Sequence, residues 1–169
     1  VLSFTDTDAL TFYIYTGTFV ALKTTSQVFR DISAWYHFVV VWDTTNATSA
    51  DRMILYVNGS RIDTFSASVD PAQNLDHQIN NTVEHGIGTN PPLKNTYAGV
   101  YLAEVQFVDG QALAASDFGK YDDNSVWQPK AFTGSYGTNG FRLDFSDNSS
   151  NAALGYDAAG SNDWTVNNF

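Results

Sequence analysis

The chain has 169 residues, with 18 acidic against 8 basic side chains, a net charge of −10 and no cysteine. That length fits one domain burying about 70% of its unfolded surface, and an acidic balance with no basic cluster argues against nucleic-acid and anionic-membrane partners. No apolar run reaches the ~18 residues of a membrane span, so membrane insertion is not expected, and the absence of cysteine leaves the redox compartment open.

The first residue is Val1, which reads as the start of a piece of a longer or processed polypeptide. Residues 9–15 alternate Leu10, Phe12 and Ile14 against Thr11, Tyr13 and Tyr15, and FVALK at 19–23 follows Thr16-Gly17-Thr18. This predicts a hairpin. Residues 35–43 (WYHFVVVWD) are aromatic and β-branched with apolar side chains at both parities. Such a run is expected as a strand covered on both faces. Asn58-Gly59 sits between MILYV and SRI, and a two-residue type I′ turn there sets Val57 opposite Ser60, Leu55 opposite Ile62 and Tyr56 opposite Arg61.

From Ser66 to Asn81 the chain turns polar, with Asp70-Pro71 marking a turn and a short strand expected near 78–80. VEHGIG at 83–88 predicts another short strand, and the two prolines in 88–95 predict a loop. GVYLAEVQFVDG at 99–110 reads as a long strand between two glycines. After Lys120 the composition shifts to Gly, Asn, Asp and Ser yet keeps many aromatics, which disordered segments lack. NGFRLDFS alternates Phe141, Leu143 and Phe145 against Arg142 and Asp144, predicting a strand, and NDWTVNNF predicts a further one. With no heptad pattern and turn signals between many short strands, the fold class is all-β, an antiparallel two-sheet β-sandwich.

The pieces WYH at 35–37 and LYVNG at 55–59, with the GVYLAEV strand at 99–105, resemble the laminin G-like members of the concanavalin A-like lectin/glucanase superfamily. The resemblance implies a concanavalin A-like jelly roll, with His37 as a hydrogen-bonded structural residue and QALAASDFG as a short helical turn that Ser116 caps. Complete domains of this kind carry more strands before WYH than the 34 residues here allow. It therefore implies that the amino-terminal strands are missing or that another segment or subunit completes the sheets. Residues 1–118 are then expected to be the later part of the lectin-like sandwich, and 119–169 a Gly/Asn-rich extension packed on it.

In order, YLAEVQFVDGQAL, SDFG, W-x-PK, TGSYGTNGF, LDFSDNS and NDWTVNNF resemble lectin-like modules in virion proteins of marine tailed bacteriophages. This implies a place on the virion surface, as tail fibre, spike or capsid decoration, among other virion subunits and as a homo-oligomer.

Retaining glucanases of the superfamily place two carboxylates about 5 Å apart on one strand. Here Glu104 and Asp109 differ in parity, Glu84 lies in VEHG, and Asp6 and Asp8 form a polar lead-in to a strand. A non-enzymatic role is expected, with a glycan-processing enzyme and a bacterial secreted adhesin or lectin as alternatives. No Gly-x-Ser-x-Gly elbow supports a serine nucleophile.

Calcium is the one cofactor considered, because relatives bind it through loop-rim oxygens. Its candidates are Asp144 and Asp147 in LDFSDN, and Asp157 and Asp163 in YDAAGSND, although neither stretch has the spacing of a defined calcium loop. Binding of a host-surface glycan needs an exposed aromatic face beside Asn or Asp. Asn95 and Tyr97 in one loop, and Asp122, Asp123 and Trp127 in another, supply that mixture, against the competing reading of Tyr97 and Trp127 as core or subunit-contact residues.

Overall fold

The computed structural model describes residues 1–89, 91 and 97–167. It is nearly all β, with antiparallel pairing throughout, as the sequence predicts. The chain forms two compact units, one of Val1–Asn81 with Ala112–Lys130, the other of Thr82–Gln111 with Ala131–Phe169.

In the first unit, β1 (Leu2–Phe4), β2 (Ala9–Tyr15), β3 (Phe19–Val28) and β7 (Phe65–Val69) make a four-stranded sheet in the order β1-β2-β3-β7. A second sheet of order β4-β5-β6 contains β4 (Phe38–Trp42), β5 (Met53–Val57) and β6 (Ser60–Arg61). Apolar positions at period two bring Leu10, Ile14 and Ala21 together with Met53, Leu55 and Val57 in one core, and Leu55 is wholly buried. Phe38, Val40 and Trp42 pack against that core, while Val39 and Val41 on the opposite face of β4 meet Ala115 in a second cluster. Both faces of this strand are covered, as its apolar parities predict.

The β2–β3 ladder shifts register between Ala9 and Thr11. A bulge of this kind strands a backbone donor, and the buried Thr25 hydroxyl takes it, accepting from Leu10 N–H at 3.1 Å and donating to Gln27 O at 2.6 Å. Lys23 is 4% exposed, opposite Phe12. Its ammonium reaches Asp70 Oδ1 at 2.6 Å and lies 4.8 Å from the Phe65 ring centre, so the buried charge has a partner.

The turn at Asn58-Gly59 is as expected, with φ of +47° and +81°, Tyr56 opposite Arg61 and Val57 opposite Ser60. Ile62 N–H donates to Leu55 O at 2.9 Å, which continues that register. A short helix α1 (Ala115–Phe118) leads into the hairpin of β9 (Gly119–Tyr121) and β10 (Trp127–Pro129). Ser116 lies inside α1 and does not cap it. The capping position is Ala114, whose N–H donates to the Asp117 carboxylate at 2.9 Å.

In the second unit β8 (Val105–Phe107) pairs with β11 (Phe141–Leu143). The strand predicted over 99–110 is reduced to three residues because Glu104 takes φ +54°, which breaks the extended run. No strand forms over 78–80, 83–88 or 162–167. Around 83–88, Gly88 at φ +76° leaves one isolated bridge, Thr89 to Tyr97. Conversely β1, β7, β9 and β10 go beyond the strands the sequence predicts; of these, FSASV and GKY carry mostly small or polar residues, and LSF and WQP are only three residues long.

Candidate functional site

Four segments meet at the tip of the β5–β6 hairpin. Asn58 N–H donates to His37 O, and its Oδ1 accepts His37 N–H, both at 2.8 Å, so a side chain extends the β4–β5 ladder by one residue. The Trp127 indole N–H donates to His37 Nδ1 at 2.9 Å, with the rings 5.9 Å apart and 26° from parallel. Because Nδ1 accepts, the imidazole is neutral with its proton on Nε2. Burial lowers the His37 pKa, which favours that same form.

Gly59 and Gly119 abut the indole so closely that a methyl group on either would overlap it. Glycine is required at 59 a second time by the positive φ of the turn. Tyr121 meets Trp127 edge to face at 5.0 Å, while its hydroxyl donates to Asn58 O at 3.1 Å and lies 3.3 Å from Ser60 Oγ. The phenol is therefore fixed at its tip, yet the residue is 53% exposed. An anchored aromatic with a free face suits contact with the apolar side of a sugar ring.

Beside Ser60 a groove of about 460 Å³ runs along the hairpin. Val57 and Ile62 line it together with Asn58, Ser60, Arg61 and Asp63. Arg61 donates to Asp51 at 2.7 Å and to Asp63 at 3.0 Å. The hydrogen bond to Asp51 raises the Arg61 pKa, so the guanidinium stays charged and paired.

The predicted ligand residues divide between the units. Trp127, Asp122 and Asp123 share the β9–β10 hairpin, Tyr97 is in the second unit at 59% exposure, and Asn95 lies outside the described residues. Trp127 is spent on His37, Tyr121 and the two glycines. Asp122 Oδ1 accepts N–H from Asn124 and Val126 at 2.9 Å each and Oδ2 accepts from Gln128 at 3.3 Å, which ties the turn and lowers its pKa. Asp123 is exposed at the tip of that turn. Tyr121 is the residue sequence reasoning passed over. Its signal was a tyrosine directly before an Asx-type turn.

Other carboxylates are likewise in use. Glu104 receives the Arg142 guanidinium through two bonds of 2.9 and 2.7 Å, Asp109 accepts Asn139 N–H at 3.1 Å, and Asp8 pairs with Arg30 at 3.1 Å.

The calcium candidates all fall in the second unit, where Asp144 accepts Ser146 N–H at 3.0 Å and Asp147 accepts Ser149 N–H at 2.9 Å. Asp157 is 8% exposed and accepts N–H from Arg142 and Ala159 on Oδ1, and from Asn162 on Oδ2, at 2.8 to 3.0 Å. Burial pushes its pKa up, but these backbone donors outweigh burial and hold it low. Asp163 accepts Asp157 N–H at 2.8 Å. A calcium ion needs six to eight oxygens facing it. Among the described residues no three acidic or histidine side chains converge as metal ligands.

No curated protein and no solved structure matches the chain. A family model does match, over residues 1–117, and its description is the concanavalin A-like lectin/glucanases superfamily. With two opposed antiparallel sheets and more than half of its length inside that match, the chain belongs to the concanavalin A-like lectin/glucanases superfamily.

Proposed function

We propose that this chain is a non-catalytic, glycan-contacting module displayed on a virion surface, in a tail fibre, spike or capsid decoration, as a homo-oligomer beside other virion subunits. The observation that carries the glycan reading is Tyr121, an exposed ring pinned by its hydroxyl next to a polar groove. Sugars are held by such pairings of an aromatic face with hydroxyl-directed polar groups. Supporting the non-catalytic reading, Glu104 and Asp109 are each bound to groups of their own unit rather than poised over a cleft. Supporting the virion reading is the ordered set of phage-like motifs from Tyr101 onward.

The test is a host-surface glycan array together with an adsorption-blocking assay, using the purified chain. Binding and blocking are expected, both lost in Tyr121→Ala. Failure on both counts overturns the glycan reading and leaves an architectural role. Polysaccharide cleavage that disappears in Glu104→Gln would establish the enzyme alternative instead.

A further inference from the structure

We infer that the groove beside the β5–β6 hairpin selects uncharged sugar chains and rejects acidic ones, an inference that rests on the glycan reading above. The groove volume of about 460 Å³ falls in the range of sites for small molecules. Its polar lining from Gln27, Asn58, Ser60 and Thr64 is amide and hydroxyl, which donates to and accepts from sugar hydroxyls without charge.

The one cation in the lining, Arg61, is the group that would capture a uronate or sialate carboxylate through two parallel N–H bonds. The side edge of that fork is already engaged, Nε by Asp63 at 3.0 Å and Nη2 by Asp51 at 2.7 Å. An incoming carboxylate would either displace an internal one or take the Nη edge beside two carboxylates already paired with it, and it would meet the Asp63 charge in the same groove. It would also approach a chain of net charge −10. A neutral sugar meets none of these barriers, and Tyr121, bonded to Ser60 at the groove wall, offers its ring to the sugar's C–H face.

The experiment is titration calorimetry of the chain with paired oligosaccharides, one neutral and one carrying a uronic acid at the same position. The neutral member is expected to bind at least about tenfold more tightly. In Asp51→Asn/Asp63→Asn the freed guanidinium should tighten the acidic member about tenfold and narrow the gap. Ser60→Trp, which fills the groove, should abolish neutral binding while leaving the melting profile of the β-sandwich intact. Preferential binding of the acidic member overturns the inference and leaves the glycan reading standing. So does neutral binding that survives Ser60→Trp, because the sugar then sits elsewhere. If neither member binds and the array is blank, the glycan reading itself fails.

Discussion

The unit formed by Val1–Asn81 with Ala112–Lys130 and the unit formed by Thr82–Gln111 with Ala131–Phe169 are held by different forces. The first buries Leu10, Ile14, Met53, Leu55 and Val57 between two sheets and uses polar groups to mend local faults, such as Thr25 at the bulge. Among the described residues, the second has one short two-stranded ladder and few buried apolar side chains, Leu143 and Ala153 among them. Its loops are tied by Asp157, by Asn162 donating to Thr138 O and Gly140 O, and by Gln106 accepting from Phe132 N–H and the Tyr136 hydroxyl. Removing area should cripple the first unit, and removing a single acceptor should cripple the second.

The largest effect is expected from Leu55→Ala, which leaves a cavity at a wholly buried position and should cost about 3 to 4 kcal/mol in chemical denaturation. Hydrogen exchange in that variant should rise over β2 to β5 while amides near Asp157 keep their protection. Equal loss everywhere would erase the distinction between the units.

Next comes the buried lysine. Asp70→Ala strands the Lys23 ammonium and should cost about 2 to 3 kcal/mol, whereas Lys23→Met should be close to neutral. Equal costs would show that the pair itself, not the unpaired charge, matters.

Asp157→Ala removes the acceptor of three backbone donors, and about 2 kcal/mol is expected, read as faster exchange at Arg142, Ala159 and Asn162. If exchange at β5 accelerates equally, the polar ties are not local.

The smallest effect is a difference in pH response. His37 has a folded pKa below its ordinary 6.5, so its contribution is complete above that pH and declines as pH falls toward the folded value. Asp157 is also depressed, from 3.8, so its contribution is held above that pH and lost only below it. Fluorescence of Trp127, isolated by replacing the other three tryptophans with Phe, should therefore respond before exchange near Asp157 does. A single shared transition would contradict separate titrations.

The β5–β6 hairpin was legible because Asn-Gly between apolar runs admits few alternatives, and β4 because an apolar run at both parities needs cover on both sides. Edge and connecting strands were less so. FSASV pairs with β3 through its backbone while four of its five residues stay exposed, so no hydrophobic pattern marks it. The 99–110 run erred the other way, since its composition favours a strand but Glu104 adopts a positive φ to meet Arg142. The staple at the hairpin tip was half visible. His37 was expected to be structural, but its partner Trp127 lies 90 residues further on, and no local spacing encodes that.

One consequence of the Asn58-Gly59 turn is chemical and slow. The asparaginyl-glycyl linkage is the one most prone to cyclise to a succinimide, and an isoaspartyl product would insert an extra backbone atom into a two-residue bend. Here the carboxamide oxygen is held by the His37 backbone N–H at 2.8 Å, which restrains the side chain. Restraining the rotation that cyclisation needs, the tether acts as a preservative for the hairpin tip and, with it, for the seat of the Tyr121 hydroxyl.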